Sequence, residues 1–191
     1  AFTGMDALAH CLEAYSSVIF HPLSQGIALE GMKIIKDNLF AAYKDGNNIR
    51  ARANMLASSS MGSIAFQKGL GAIHSLSHPI GAIYNTHHGL TNAVFMPYVL
   101  IRNKEAIENK IVDLSRYLNL SNPSFNSFLD WVLDLRKLLS IPHTLKELID
   151  DDSNFEKISV MALNDPSTGS NPIKLNQDDF LKLYQHSFEG I

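Results

Sequence analysis

The side chains with most chemical capacity in this sequence are one aspartate and a group of histidines. Asp6 and His10 stand four residues apart in a run patterned as a helix, which puts both on one helical face, one turn apart. His74 and His78 repeat that spacing, and His87 and His88 follow soon after. A carboxylate combined with two or three imidazoles suits a divalent first-row metal such as iron or zinc, whereas calcium and magnesium prefer all-oxygen shells. The single cysteine, Cys11, rules out a disulfide within the chain and a thiolate-rich zinc site.

Taken singly, each residue has an ordinary explanation. Asp6 fits a capping acid near a helix start, favoured by the helix dipole. His10 fits a satisfied, partly buried histidine, His78 a helix-end residue ahead of Pro79, and His87 a solvent-facing loop residue. Cys11 reads as a small buried apolar side chain with no activating partner. His21, His143 and His186 lie in contexts that suggest no role. The combination argues otherwise: four histidines fall between residues 74 and 88, in an otherwise apolar, Gly-rich stretch, where burying them without a purpose is costly.

The elements that must position these groups read as helices throughout. Thr3 is expected to cap a first helix carrying Leu8, Leu12 and Tyr15 at helical spacing. Pro22 opens a second, with Ile27, Met32, Ile35 and Leu39 as its buried stripe and Asp45-Gly46 as its end. A third is expected from about Asn48 to Gly69. Its many small residues (Ala51, Ala53, Ala57, Ser58, Ser60, Gly62) suggest a central, buried helix. The stretch 69–90 is broken by Pro79, and Thr91 to Arg102 reads as a buried helix bent at Pro97. Amphipathic helices follow over Lys104–Tyr117 and Ser124–Leu139. Thr144 and Ser153 are expected to cap short helices through Ile149 and Leu163. A loop is expected from Asp165 to Pro172, and a last helix over Asp178–Phe188 is capped by Asn176. Sustained period-two alternation is absent, so the expectation is an all-α fold of nine or ten helices. Composition turns more polar near Asn119–Pro123, yet residues 1–191 read as one domain.

Bulk properties narrow the function. The chain has 191 residues, 46% hydrophobic and 18% charged, which is ordinary for a globular protein. With a net charge of -3 and no basic cluster, nucleic acid is not an expected partner. The longest apolar run, Ala93 to Ile101, falls well short of a bilayer span, so no membrane role is expected. The lone cysteine fits a reducing, cytoplasmic setting.

Three segments together resemble a known family. Thr3-Gly4-Met5-Asp6-Ala7-Leu8-Ala9-His10 is similar to the opening signature of the iron-containing (group III) alcohol dehydrogenases. Gly71-Ala72-Ile73-His74-Ser75-Leu76-Ser77-His78-Pro79-Ile80-Gly81-Ala82 is similar to the second signature, and Tyr84-Asn85-Thr86-His87-His88-Gly89-Leu90-Thr91-Asn92-Ala93 to its continuation. Thr168-Gly169-Ser170-Asn171-Pro172, ahead of the last helix, also fits. The resemblance covers the whole chain. It implies the all-α, multi-helix C-terminal domain of the dehydroquinate synthase-like fold, with Asp6, His10, His74 and His88 as metal ligands. His78 matches a family histidine near the metal and the nicotinamide, which implies a catalytic and cofactor-binding role. The family often has proline before the last ligand, where this chain has His87; alignment on Gly89 makes His88 the ligand.

The resemblance further implies Fe(II), or Zn(II), as the metal, NAD or NADP as the hydride carrier, and a small alcohol or aldehyde as the substrate. It implies a homo-oligomer as well. The family's N-terminal α/β nucleotide-binding domain is expected to be absent from these residues, which alone are then expected to be inactive. Two other readings stand beside this one: a metal-dependent hydrolase or lyase on the same helical fold, as the related dehydroquinate synthases suggest, and a non-catalytic helical module with structural histidines.

Overall fold

The computed structural model describes residues 1–190. Among them are eight α-helices and three short 3-10 turns, and no strand. The helices are α1 (Phe2–Ser16), α2 (Pro22–Lys44), α3 (Ile49–Ala65), α4 (Ala72–Tyr84), α5 (His88–Tyr117), α6 (Phe125–Leu138), α7 (Phe155–Leu163) and α8 (Gln177–Glu189). The all-α expectation therefore holds, with one helix fewer than the lower expected number.

The centre of the fold is α1, not α3. Every residue of α1 from Gly4 to Ser16 is buried except Asp6 and His10, so its one open edge is the edge that carries chemistry. It packs against α2, α3 and α5, while α4 lies between α5 and α7, and α8 closes the far side against α7 and α5. The small residues of α3 serve one face only. Ala51, Ser58, Gly62 and Ala65 are buried, whereas Ala53, Ala57 and Ser60 are exposed together with Leu56 and Ile64. Small side chains permitted close packing, but they did not signal burial on all sides.

Local chemistry set most helix starts. Pro22 occupies the first turn of α2, and Asn48, Ser124 and Asn176 each accept a backbone N–H three residues on. Several expectations need correction. Thr3 caps nothing: α1 begins two residues earlier, with Ala1 at its cap position and no side-chain cap bond, so Asp6 is not a capping acid. Pro79 lies inside α4 without ending it. The two helices expected around Arg102–Lys104 are one 30-residue helix, α5, that continues through Pro97. A proline inside a helix costs about 3 kcal/mol. Residues 91–100 are all buried, and that packing outweighs the penalty. The expected loop after Asp165 folds as a 3-10 turn over Pro166–Ser170.

Candidate metal centre

Three helices bring the donors together. Asp6 comes from the open edge of α1, His74 from the first turn of α4, and His88 from the first residue of α5. Their ligand atoms all lie within 4.8 Å of one another. Asp6 Oδ1 is 3.4 Å from His88 Nε2 and 3.7 Å from His74 Nε2. The approach of α5 to α1 depends on Gly89. A Cβ there would sit 2.4 Å from the Phe2 carbonyl oxygen and 3.1 Å from Asp6 Cβ. A side chain at residue 89 would therefore push apart the helix ends that carry Asp6 and His88.

His10 lies beside this trio rather than within it. Its ring stacks on His74 with centroids 4.8 Å apart and planes 13° from parallel, and Phe66 covers it from another side. His78, the one exposed residue between Ala72 and Ile80, stacks on His88 at 5.5 Å. Its Nδ1 is 2.8 Å from Asp165 Oδ2. His87 is exposed and turns away into a local role: its Nδ1 accepts the Leu90 N–H and its ring meets Phe2 edge-on.

Two further residues complete the arrangement. Asn92, one turn after His88 on α5, places its amide nitrogen 2.7 Å from Asp6 Oδ1, 3.1 Å from His88 Nε2 and 3.2 Å from His74 Nε2. Glu13, buried on α1, accepts the Ile73 backbone N–H at 2.7 Å and faces His74 Nδ1 at 2.6 Å. Both follow from helical register. Glu13 continues the face of Asp6 and His10 at the next turn, and Asn92 stands four residues after His88. Extending the ligand spacing by one turn on each helix finds them. Asp165 has no such local signal, because it reaches His78 from a segment 87 residues away.

The electrostatics suit a cation. Burial alone would raise the Asp6 carboxyl, but the His74 hydrogen bond, the charge of His10 and the Asn92 amide hold it down at about 2. Burial lowers the pKa of His10 and of His88, which keeps both rings in the neutral form that donates a lone pair. His74 behaves in the opposite way. Burial would lower it, yet the Glu13 charge and the hydrogen bonds to Asp6 and Glu13 raise it to about 9. A metal must therefore displace a proton there.

The donor set fits a metal on its own terms. The Asn92 amide nitrogen has two hydrogens and lies within 3.2 Å of three converging ligand atoms, and its own buried oxygen has no partner. A divalent ion held by one carboxylate and imidazole nitrogens satisfies such a set at once.

Comparison with known proteins agrees with this geometry. The family model described as "Fe-containing alcohol dehydrogenase family, C-terminal" matches residues 1–188. A 4-hydroxybutyrate dehydrogenase from Cupriavidus necator is 36% identical over 98% of this chain and 51% of its own length. An NADPH-dependent butanol dehydrogenase from Clostridium saccharobutylicum is 32% identical over 100% of this chain and 51% of its own length. Among solved structures, a 1,3-propanediol oxidoreductase superposes with a TM-score of 0.94 at 31% identity, covering 98% of this chain and 51% of that one. The chain spans about half the length of the curated relatives it matches. The chain thus belongs to the Fe-containing alcohol dehydrogenase family, of which it carries the helical C-terminal part.

Proposed function

We propose that these residues form the metal-binding catalytic domain of an enzyme that interconverts a small alcohol and its aldehyde by hydride exchange with NAD or NADP. The convergence of Asp6, His74 and His88 from three helices carries this reading, in a chain whose relatives are named alcohol and diol dehydrogenases. The nucleotide-binding α/β domain lies outside these residues, in keeping with relatives about twice as long. The intact enzyme acts as a homo-oligomer.

Asp6, His10, His74 and His88 would hold Fe(II), with Zn(II) as the alternative. When bound, the metal acts as a Lewis acid that lowers the hydroxyl pKa of the alcohol and polarises the carbonyl of the aldehyde. The protein's own residues do the rest. Glu13 and Asn92 hold the donors in register. Asp165 accepts the Nδ1–H of His78, leaving Nε2 as the nitrogen that exchanges a proton with the substrate oxygen. His78 also borders the nicotinamide. Its exposure suits a group that meets ligands.

Metal titration of this chain beside an Asp6→Ala, His74→Ala double variant tests the site. The parent is expected to bind about one Fe(II) or Zn(II) and the variant none. NAD(P)-dependent alcohol oxidation by the full-length enzyme tests the chemistry. A parent that binds neither ion, or an intact enzyme that catalyses only hydrolysis or elimination, overturns the proposal.

A further inference from the structure

We infer that Glu13 is a positioning residue that sets which nitrogen of His74 is offered to the ligand cluster, an inference that rests on the metal-site reading above. Glu13 is 6% exposed and His74 1%. An ionised carboxylate cannot donate a hydrogen bond, and its burial is unfavourable unless both oxygens are served. Here Oε1 accepts the Ile73 backbone N–H and Oε2 faces His74 Nδ1 at 2.6 Å. Nδ1 must therefore carry hydrogen. His74 Nε2, on the Asp6 and His88 side, is left as the atom that offers its lone pair once a metal displaces its proton.

The surrounding fold maintains this contact. Gly71, at the cap position of α4, has no side chain to serve the first helical amides; Asn171 Oδ1 accepts the Ala72 N–H and Glu13 accepts the next. A Cβ at Gly71 would come within 3.0 Å of both Glu13 Oε1 and Asn171 Oδ1. One carboxylate thus joins two tasks: one oxygen caps α4, and the other orients the ligand ring on that same first turn.

Glu13→Gln separates the tasks without changing shape. A glutamine has one oxygen and one NH2 group. If the oxygen keeps the Ile73 N–H, the NH2 points at Nδ1 and drives the imidazole proton to Nε2. The opposite orientation sets NH2 against the backbone N–H, which a helix end cannot relieve. The imidazole can move its proton, so the first arrangement prevails and the lone pair facing the cluster is lost.

The test is nitrogen-15 NMR of the histidine rings in the metal-free chain, together with Zn(II) affinity by competition titration. The wild-type chain is expected to show a protected, strongly downfield Nδ1–H for His74, present whether the ring is neutral or cationic. In Glu13→Gln the Nδ1–H is expected to vanish in favour of Nε2–H, and Zn(II) to bind about 10–100-fold more weakly while the helical signal is kept. A variant that keeps Nδ1–H, or that binds Zn(II) within about twofold of wild type, overturns the inference. If the variant does not fold, the wild-type spectrum decides alone, because an unprotonated His74 Nδ1 sinks the proposal. Failure of the wild-type chain to bind Zn(II), with Nδ1–H still present, counts against the metal-site reading and leaves the hold of Glu13 on the ring intact.

Discussion

His87 and His88 are adjacent in sequence and opposite in role. His87 sits just before α5 in extended backbone, where its ring serves the first amides of the helix and packs on Phe2. His88 is the first helical residue, and its Nε2 turns towards Asp6 at 3.4 Å. His87→Ala is therefore expected to leave Zn(II) affinity nearly unchanged and to cost at most about 1 kcal/mol, as a weakened cap. His88→Ala removes a donor atom, so its affinity loss should exceed the roughly 100-fold upper range seen when only a supporting partner is removed. Paired calorimetric titrations of the two variants check this, and equal losses would contradict the assignment. Much at this scale was legible, because identity and spacing are local. Asp6, His74 and His88 converge as their types suggest, and Glu13 and Asn92 were readable from the same register. The position of His10 was not, because whether a side chain joins or flanks a cluster depends on the neighbouring helices. Here Phe66 and His74 hold its ring between them.

Helix ends show what is decided locally and what is not. Asn48, Ser124 and Asn176 act as caps because the side chain and the amide it serves are three residues apart. The extent of α5 and its passage through Pro97 depend on burial by α1, α4 and α6, which local sequence does not encode. The cap of α8 gives a pH prediction. Burial would raise the Asp179 carboxyl, but the Asn176 backbone N–H and Arg102 lower it overall. A carboxyl depressed in the folded state adds stability above its unfolded value, near 3.9, and loses that stability as pH falls through the folded value. Acid unfolding of Asp179→Asn should therefore show less stability lost below about pH 4 than wild type, and superimposable curves would refute this. The junction of α1 and α5 gives a second prediction. Gly89→Ala forces a Cβ against the Phe2 backbone, so a cost of about 1–3 kcal/mol is expected, together with weaker metal binding, because helix separation parts Asp6 from His88. A variant of wild-type stability and affinity would show that the helix ends have slack.

At the scale of the molecule, two donors come from the consecutive helices α4 and α5, and the third from α1, far earlier in the chain. Asp6 precedes His74 by most of α1, α2 and α3, and Asp6, His74 and His88 meet only because α1 runs through the middle of the fold. Composition and period pointed to the all-α class, and the motifs contain the three residues that the fold brings together, Asp6, His74 and His88. The central place of α1 was hidden by its ordinary length and by the small-residue pattern of α3, which mimics that of a core helix. This arrangement couples metal binding to folding, since the unfolded chain has no preformed site. Ligand binding to the native state alone stabilises it by about 2.7 kcal/mol when free metal is a hundred times the dissociation constant. For a chain of this size that corresponds to a rise in melting temperature of roughly 5–10 °C. Thermal melts with and without Zn(II) are expected to show such a shift for the wild-type chain and none for the Asp6→Ala, His74→Ala double variant. Magnesium should have no effect on either, because it is poorly matched to imidazole ligands. An equal shift in parent and double variant would mean that zinc binds elsewhere. No shift in the parent would mean that the helices pack without holding metal, and that the convergence of Asp6, His74 and His88 is structural.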